Sequence, residues 1–100
     1  MEKNELLTIL SGLAKKGFYE VLFFVSEERT THYSDVLEYV RKNRLARSDA
    51  TVTQALKFLS DHELLKRTVS QDRPIRTTYE LTDRGKEFVD HITQLQDLGP

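Results

Sequence analysis

The chain is 100 residues long, 38% hydrophobic and 31% charged, with a net charge of −1 and no cysteine. That length builds one hydrophobic core and one domain, 1–100, and the composition is that of a soluble globular chain, neither disordered nor membrane-spanning. The lack of cysteine excludes disulfides, thiolate metal sites and cysteine redox sensing.

The opening residues, MEKNELLTIL, are acidic and amphipathic. They lack the basic start and apolar stretch of a secretory signal, so a cytoplasmic location is expected. Leu6, Leu7, Leu10 and Leu13 recur at helical spacing beside Ile9, which predicts a first helix within 1–14, with Asn4 as its cap. Gly12 and Gly17 then interrupt or re-aim it. Phe18 to Ser26, FYEVLFFVS, is apolar nearly all round and reads as a buried central helix. Arg29 to His32 carries β-branched threonines and suits one edge strand. Val36, Leu37 and Val40 give the next helix, YSDVLEYVRKN, an inward stripe, with Ser34 or Thr31 as its cap. Asn43 to Arg47 connects it to a helix over 48–62, which Ser48 caps. Leu64–Val69 and Arg76–Leu81 read as two strands around a turn that holds Pro74. Thr82 and Asp83 open a last helix, 83–98, with Phe88, Val89, Ile92 and Leu95 on one side.

This order predicts a mainly α fold with a small β-hairpin, an α+β winged helix-turn-helix. The helix-turn-helix would span 33–62 and the wing 64–81, around a three-helix core.

The helix over 48–62 carries the functional argument. A step of about 100° per residue puts Val52, Ala55, Leu56 and Leu59 on one face, and Ala50, Thr53, Gln54, Lys57 and Asp61 on the other. An ordinary solvated face would carry Glu and Lys pairs, which helix propensity and i,i+4 pairing favour. Small residues near the N-terminus instead let a helix enter a DNA major groove. There Gln54 can pair with adenine, a threonine can meet thymine or phosphate, and Lys57 can reach guanine or phosphate. Ser48 and the first-turn N–H groups suit a phosphate oxygen.

Charge is distributed to match. Residues 41–76 net +5, and the remainder nets −6. A polarised, near-neutral chain of this kind has the footprint of a polyanion binder. Arg67, Arg73 and Arg76 line the predicted wing, where arginine is favoured beside a narrow minor groove or flanking phosphates. Asp72 opposes this unless it pairs with Arg73. The predicted DNA-facing set is therefore Arg47, Ser48, Ala50, Thr51, Thr53, Gln54 and Lys57 on the helix, with Arg67, Arg73 and Arg76 on the wing.

The stretch LKFLSDHELLKRTVSQDRPIRTTYELTDRGKEF resembles winged-helix transcriptional regulators of the HxlR kind, within the wider MarR-like group. The resemblance rests on the helix ending before Leu64-Leu65-Lys66-Arg67, on the wing bearing Pro74, and on the motif Tyr79-Glu80-Leu81-Thr82-x-x-Gly85. It covers roughly residues 6 to 98 and implies a homodimeric, sequence-specific binder of double-stranded DNA, paired through its first and last helices. The chain departs from the family pattern at two places. Glu63 stands where the family usually has glycine after the recognition helix, and Phe18 or Tyr19 stands for its central-helix tryptophan. Cysteine-based redox sensing does not carry over.

The terminal helices present more apolar surface than one small domain uses. Leu6, Leu7 and Leu10, with Phe88, Ile92 and Leu95, are the predicted dimer contacts. Thr82 and Asp83 suit a helix start, and Gly85 a close packing contact. His32, His62 and His91 lack metal-ligand spacing, and no nucleophile or phosphate loop accompanies the acidic pairs. No enzyme, metal or cofactor is expected. Phe18, Tyr19, Phe23 and Tyr39 suit either the core or an effector cavity between the dimer helices and the DNA-binding part. The rival reading is a winged helix used as a protein-interaction module of a transcription complex; the basic lining of helix and wing favours DNA.

Overall fold

The computed structural model describes residues 1–28 and 30–100. The chain runs α1 (Lys3–Leu13), α2 (Phe18–Glu27), β1 (Thr31–His32), α3 (Tyr33–Lys42), α4 (Asp49–Asp61), β2 (Leu65–Val69), β3 (Thr77–Leu81) and α5 (Asp83–Gln96). The expected edge strand is present as β1; its proposed first residue, Arg29, lies outside the described residues. The three strands form one antiparallel sheet in the order β1-β3-β2, with Thr31 opposite Tyr79 and Arg67 opposite Tyr79 on its other side.

The core follows the apolar stripes of the sequence. Val21, Leu22 and Val25 of α2, Val36 and Val40 of α3, and Val52, Ala55, Leu56 and Leu59 of α4 are all buried. Each valine or leucine among them contributes about 1.5–3 kcal/mol when fully buried, so these three helices hold the domain together. Leu64, Leu65 and Tyr79 close the sheet side of the same core. Of the aromatics expected to serve the core or a cavity, Phe18 is buried against the Phe58 ring at 5.8 Å, and Tyr19 stacks on Phe23 at 4.4 Å. Tyr39 stacks on Phe24 at 4.2 Å.

The helix boundaries have identifiable local causes, and two expected caps are displaced. Glu2, not Asn4, caps α1, accepting from the Asn4 N–H at 3.2 Å; Asn4 already lies inside the first turn. His32 is the N-cap of α3, in place of Ser34 or Thr31, and its N–H donates to the Asp35 carboxylate at 3.2 Å. Thr31 is instead drawn into the sheet and buried. Gly17 starts α2 at φ 89°, a left-handed conformation that side chains with a Cβ disfavour.

The end of the fold locks together at one point. Thr82 caps α5, its hydroxyl accepting from the Gly85 N–H at 2.9 Å. A Cβ on Gly85 would lie 2.1 Å from the Leu64 carbonyl oxygen, so α5 approaches the backbone just before β2 at close range. The close packing expected of Gly85 is therefore real, and it fixes the angle at which α5 leaves the sheet.

Candidate nucleic-acid interface

α3 and α4 are joined by a tight connection. Both helices end alike. Arg44 takes φ 53° after α3, and Glu63 takes φ 60° after α4. In each case the next two N–H groups reach back to close the helix. Arg44 bonds to Arg41 and Leu45 to Val40, at 3.2 and 3.1 Å; Glu63 bonds to Ser60 and Leu64 to Leu59, at 3.0 and 2.9 Å. This is the Schellman pattern, in which glycine normally takes the left-handed position. Glu63 therefore takes the left-handed position that glycine usually fills.

Arg41, at the end of α3, pairs with Asp49, at the start of α4; its Nε donates to Asp49 Oδ1 at 3.0 Å. The hydrogen bonds from the Arg41 guanidinium hold the Asp49 carboxyl below the usual carboxylate range. The same pairing raises the pKa of Arg41. Sequence reading did not foresee this clamp, because residues 41 and 49 meet only once the turn between them has its left-handed step.

α4 presents the face anticipated for it. Ala50, Thr53, Gln54 and Lys57 are exposed, while Thr51 sits half-buried on the flank. Ser48 occupies the N-cap position, but its hydroxyl makes no capping bond. That corrects the expectation that it caps the helix; its backbone is extended, at φ −146°. Lys57 is paired with Asp61 one turn on, at 2.7 Å. Exposed i,i+4 pairs of this sort are worth only about 0.3–0.5 kcal/mol, so a phosphate or base can displace the carboxylate.

The wing stands beside this face. Arg67 lies exposed on β2, and Arg73 and Arg76 lie exposed in the turn, where the Ser70 N–H donates to the Arg76 carbonyl at 2.8 Å. Asp72 does not pair with Arg73; its N–H donates to the Ser70 hydroxyl at 3.1 Å. Arg47, Arg67, Arg73 and Arg76 form no ion pair among the described residues.

The fold brings some of these residues together and leaves others apart. Thr53, Lys57 and Arg67 line one hollow of about 420 Å³ between α4 and the sheet, together with Tyr33, Ser60, Asp61, Thr77 and Tyr79. Arg76 lines a second hollow, of about 520 Å³, at the start of α3 with His32 and Tyr33. Arg47, Ser48, Ala50, Gln54 and Arg73 line neither. Tyr33 borders both hollows, and its hydroxyl is 3.0 Å from Thr53 Oγ1. It belongs to this surface, although a tyrosine opening a helix carries no signal that would have marked it in the sequence.

Of the expected dimer contacts, Leu6, Leu7, Leu10 and Leu95 are exposed, at 38, 52, 38 and 60%, and Leu98 at 77% joins them. Phe88 does not. It is 8% exposed and packs in the core, with Ile92 partly buried against it. The periodic stripe of α5 is thus core at its start and surface at its end.

Helix, turn, exposed second helix and basic hairpin are the parts of a winged helix-turn-helix. The chain belongs to the HxlR-like helix-turn-helix family, whose profile matches residues 22–100. It is a DNA-binding transcription regulator and not an enzyme. The fold is similar to that of the transcriptional regulator YodB from B. subtilis in its reduced form, with a TM-score of 0.77 and 18% identity, over 97% of this chain and 90% of that one. A MarR-family regulator from Enterococcus faecalis gives a TM-score of 0.76 at 19% identity, over 99% and 86% of the two chains. A PadR-family regulator from Clostridium difficile gives 0.67 at 24% identity, over 82% and 90%. At these identities the likeness is one of fold. A search of curated proteins by sequence finds no match. Among the described residues, no helix is long and apolar enough to cross a membrane.

Proposed function

We propose that the protein binds double-stranded DNA sequence-specifically as a homodimer on a palindromic or pseudopalindromic operator, and does so in the cytoplasm. Helix α4 enters the major groove, and the turn over 70–76 lies along the neighbouring minor groove or its phosphates. The observation that carries this reading is the exposed face of α4. Its small and hydrogen-bonding side chains at Ala50, Thr53 and Gln54 stand clear of the core, beside a wing whose arginines have no acidic partner among the described residues. Arg47 and Ser48 approach phosphate at the start of the helix, and Thr51 does so from its flank.

Dimerisation runs through α1 and α5. Leu6, Leu7 and Leu10 form a stripe turned about 100° from the buried stripe of Ile9, Gly12 and Leu13 on the same helix. Leu95 of α5 and Leu98, just past its end, extend the surface. Two copies joined there carry two recognition helices, which a palindrome presents about one DNA turn apart.

Fluorescence anisotropy with a labelled duplex from the region upstream of the protein's own gene, and a scrambled control, tests the reading across a salt series. Tight, salt-dependent binding with preference for the native duplex is expected. Equal binding to both duplexes would point to an architectural role. Absence of binding at low salt would overturn the proposal in favour of a protein-interaction module.

A further inference from the structure

We infer that Tyr33 is a positioning residue for base recognition, holding Thr53 in the rotamer that reads DNA; the inference rests on the DNA-binding reading above. Tyr33 is the first residue of α3 and lies twenty positions before Thr53, yet the two hydroxyls are 3.0 Å apart. Thr53 sits in the second turn of α4, on its exposed face.

The geometry matters because of what threonine does in a helix. Its χ1 divides between two wells, one of which lets Oγ1 bond back to the carbonyl a turn earlier. Thr8 follows that course, its hydroxyl donating to the Asn4 carbonyl at 2.9 Å. Thr53 has Tyr33 as its partner instead. Since χ1 places Oγ1 and the methyl together, fixing one fixes the other. The methyl is the group that can contact a thymine, and the hydroxyl retains two further hydrogen-bonding sites for a base or phosphate.

Tyr33 is itself well held. Its ring is half-buried against the core, and it forms the partition between the hollow beside α4 and the hollow beside the wing turn. Thr77, at the base of the wing, borders the same two hollows. Preorganising a reading side chain by a second side chain on a different element is an economical source of specificity, because no rotamer entropy is lost when DNA arrives.

The test uses the full chain, the duplex that the wild type enriches from a random pool, and the same duplex scrambled. Tyr33→Phe keeps the ring and removes the hydroxyl, and Thr53→Val keeps the shape and removes its partner. Tyr33→Phe should weaken the enriched duplex about three- to tenfold and leave the scrambled one unchanged, with an unaltered melting temperature. The double variant should bind no more weakly than Thr53→Val alone, since the hydroxyl has nothing left to position. Equal loss on both duplexes would make Tyr33 a phosphate contact and overturn the inference. So would losses that add in the double variant, or no loss at all. If the wild type enriches no sequence, the sequence-specific reading itself fails, which is a different and separately visible result.

Discussion

Glu63 is a residue whose cost can be read directly from its backbone. A side chain with a Cβ at φ 60° is strained by about 1–2 kcal/mol, part of which is recovered because glycine gains more freedom in the unfolded chain. Its negative charge also sits at the negative end of the α4 dipole. Glu63→Gly should therefore raise stability by about 1 kcal/mol, read from the urea midpoint. Arg44, at φ 53°, has the same backbone strain but the opposite charge, which suits the C-terminal end of α3. Arg44→Gly should gain less than Glu63→Gly; an equal or larger gain would show that the dipole plays no part. On the DNA side, two side chains should give different signatures. Gln54→Ala should cost about 1–3 kcal/mol on the specific duplex and relax preference at one base pair. Arg73→Ala should weaken every duplex alike and make the salt slope shallower by about one.

At the scale of elements, the joint between α3 and α4 is electrostatic as well as conformational. The Arg41–Asp49 pair ties the two helices on the side away from their shared core. Hydrogen bonding from Arg41 depresses the Asp49 pKa in the folded state. A depressed carboxyl contributes stability above its unfolded pKa, and that contribution disappears as pH falls through the folded value. Asp49→Asn should consequently be slightly less stable than wild type at neutral pH and equal to it at strongly acidic pH. The pair is solvent-exposed, so the effect is small, and matched denaturation curves at the two pH values would detect it. A deficit that persisted unchanged in acid would assign the loss to something other than the ion pair. The wing depends on a different kind of joint. Thr82 donates its hydroxyl to the Glu63 carbonyl at 2.6 Å while capping α5, so one side chain ties the end of α4 to the start of α5.

For the whole molecule, the exposed leucines of α1 and of the C-terminal end define the expected assembly. An apolar stripe at Leu6, Leu7 and Leu10 has no partner of comparable size within the described chain, and Leu95 with Leu98 extends it. Placing a charge there should split the assembly without unfolding the core, since none of these side chains is buried. Sedimentation equilibrium should find wild type as a dimer, and Leu7→Glu or Leu95→Glu as monomers. Operator affinity should fall in step, because one recognition helix must then bind without the other. Phe88→Glu would report nothing about assembly, as that ring is 8% exposed and its loss would unfold the domain.

The sequence alone determined the elements and the faces they present. The inward set Val52, Ala55, Leu56 and Leu59 follows from helical spacing, and so does the outward set of α4, because periodicity is a local property. The cap at Thr82 was likewise legible from its neighbours in the chain, and the resemblance marked Glu63 and Gly85 as special positions, although the Leu64 carbonyl that Gly85 approaches is set by the fold. Tertiary structure decided whatever depends on where one element ends relative to another. It put Phe88 in the core while leaving Leu95 on the surface of the same stripe. It also gave the α3 cap to His32, by drawing Thr31 into the sheet, and brought Tyr33 to Thr53 and Arg41 to Asp49. Spacing along a helix tells which side chains share a face; only packing in three dimensions decides how far the core beneath that face extends and which distant side chain meets it.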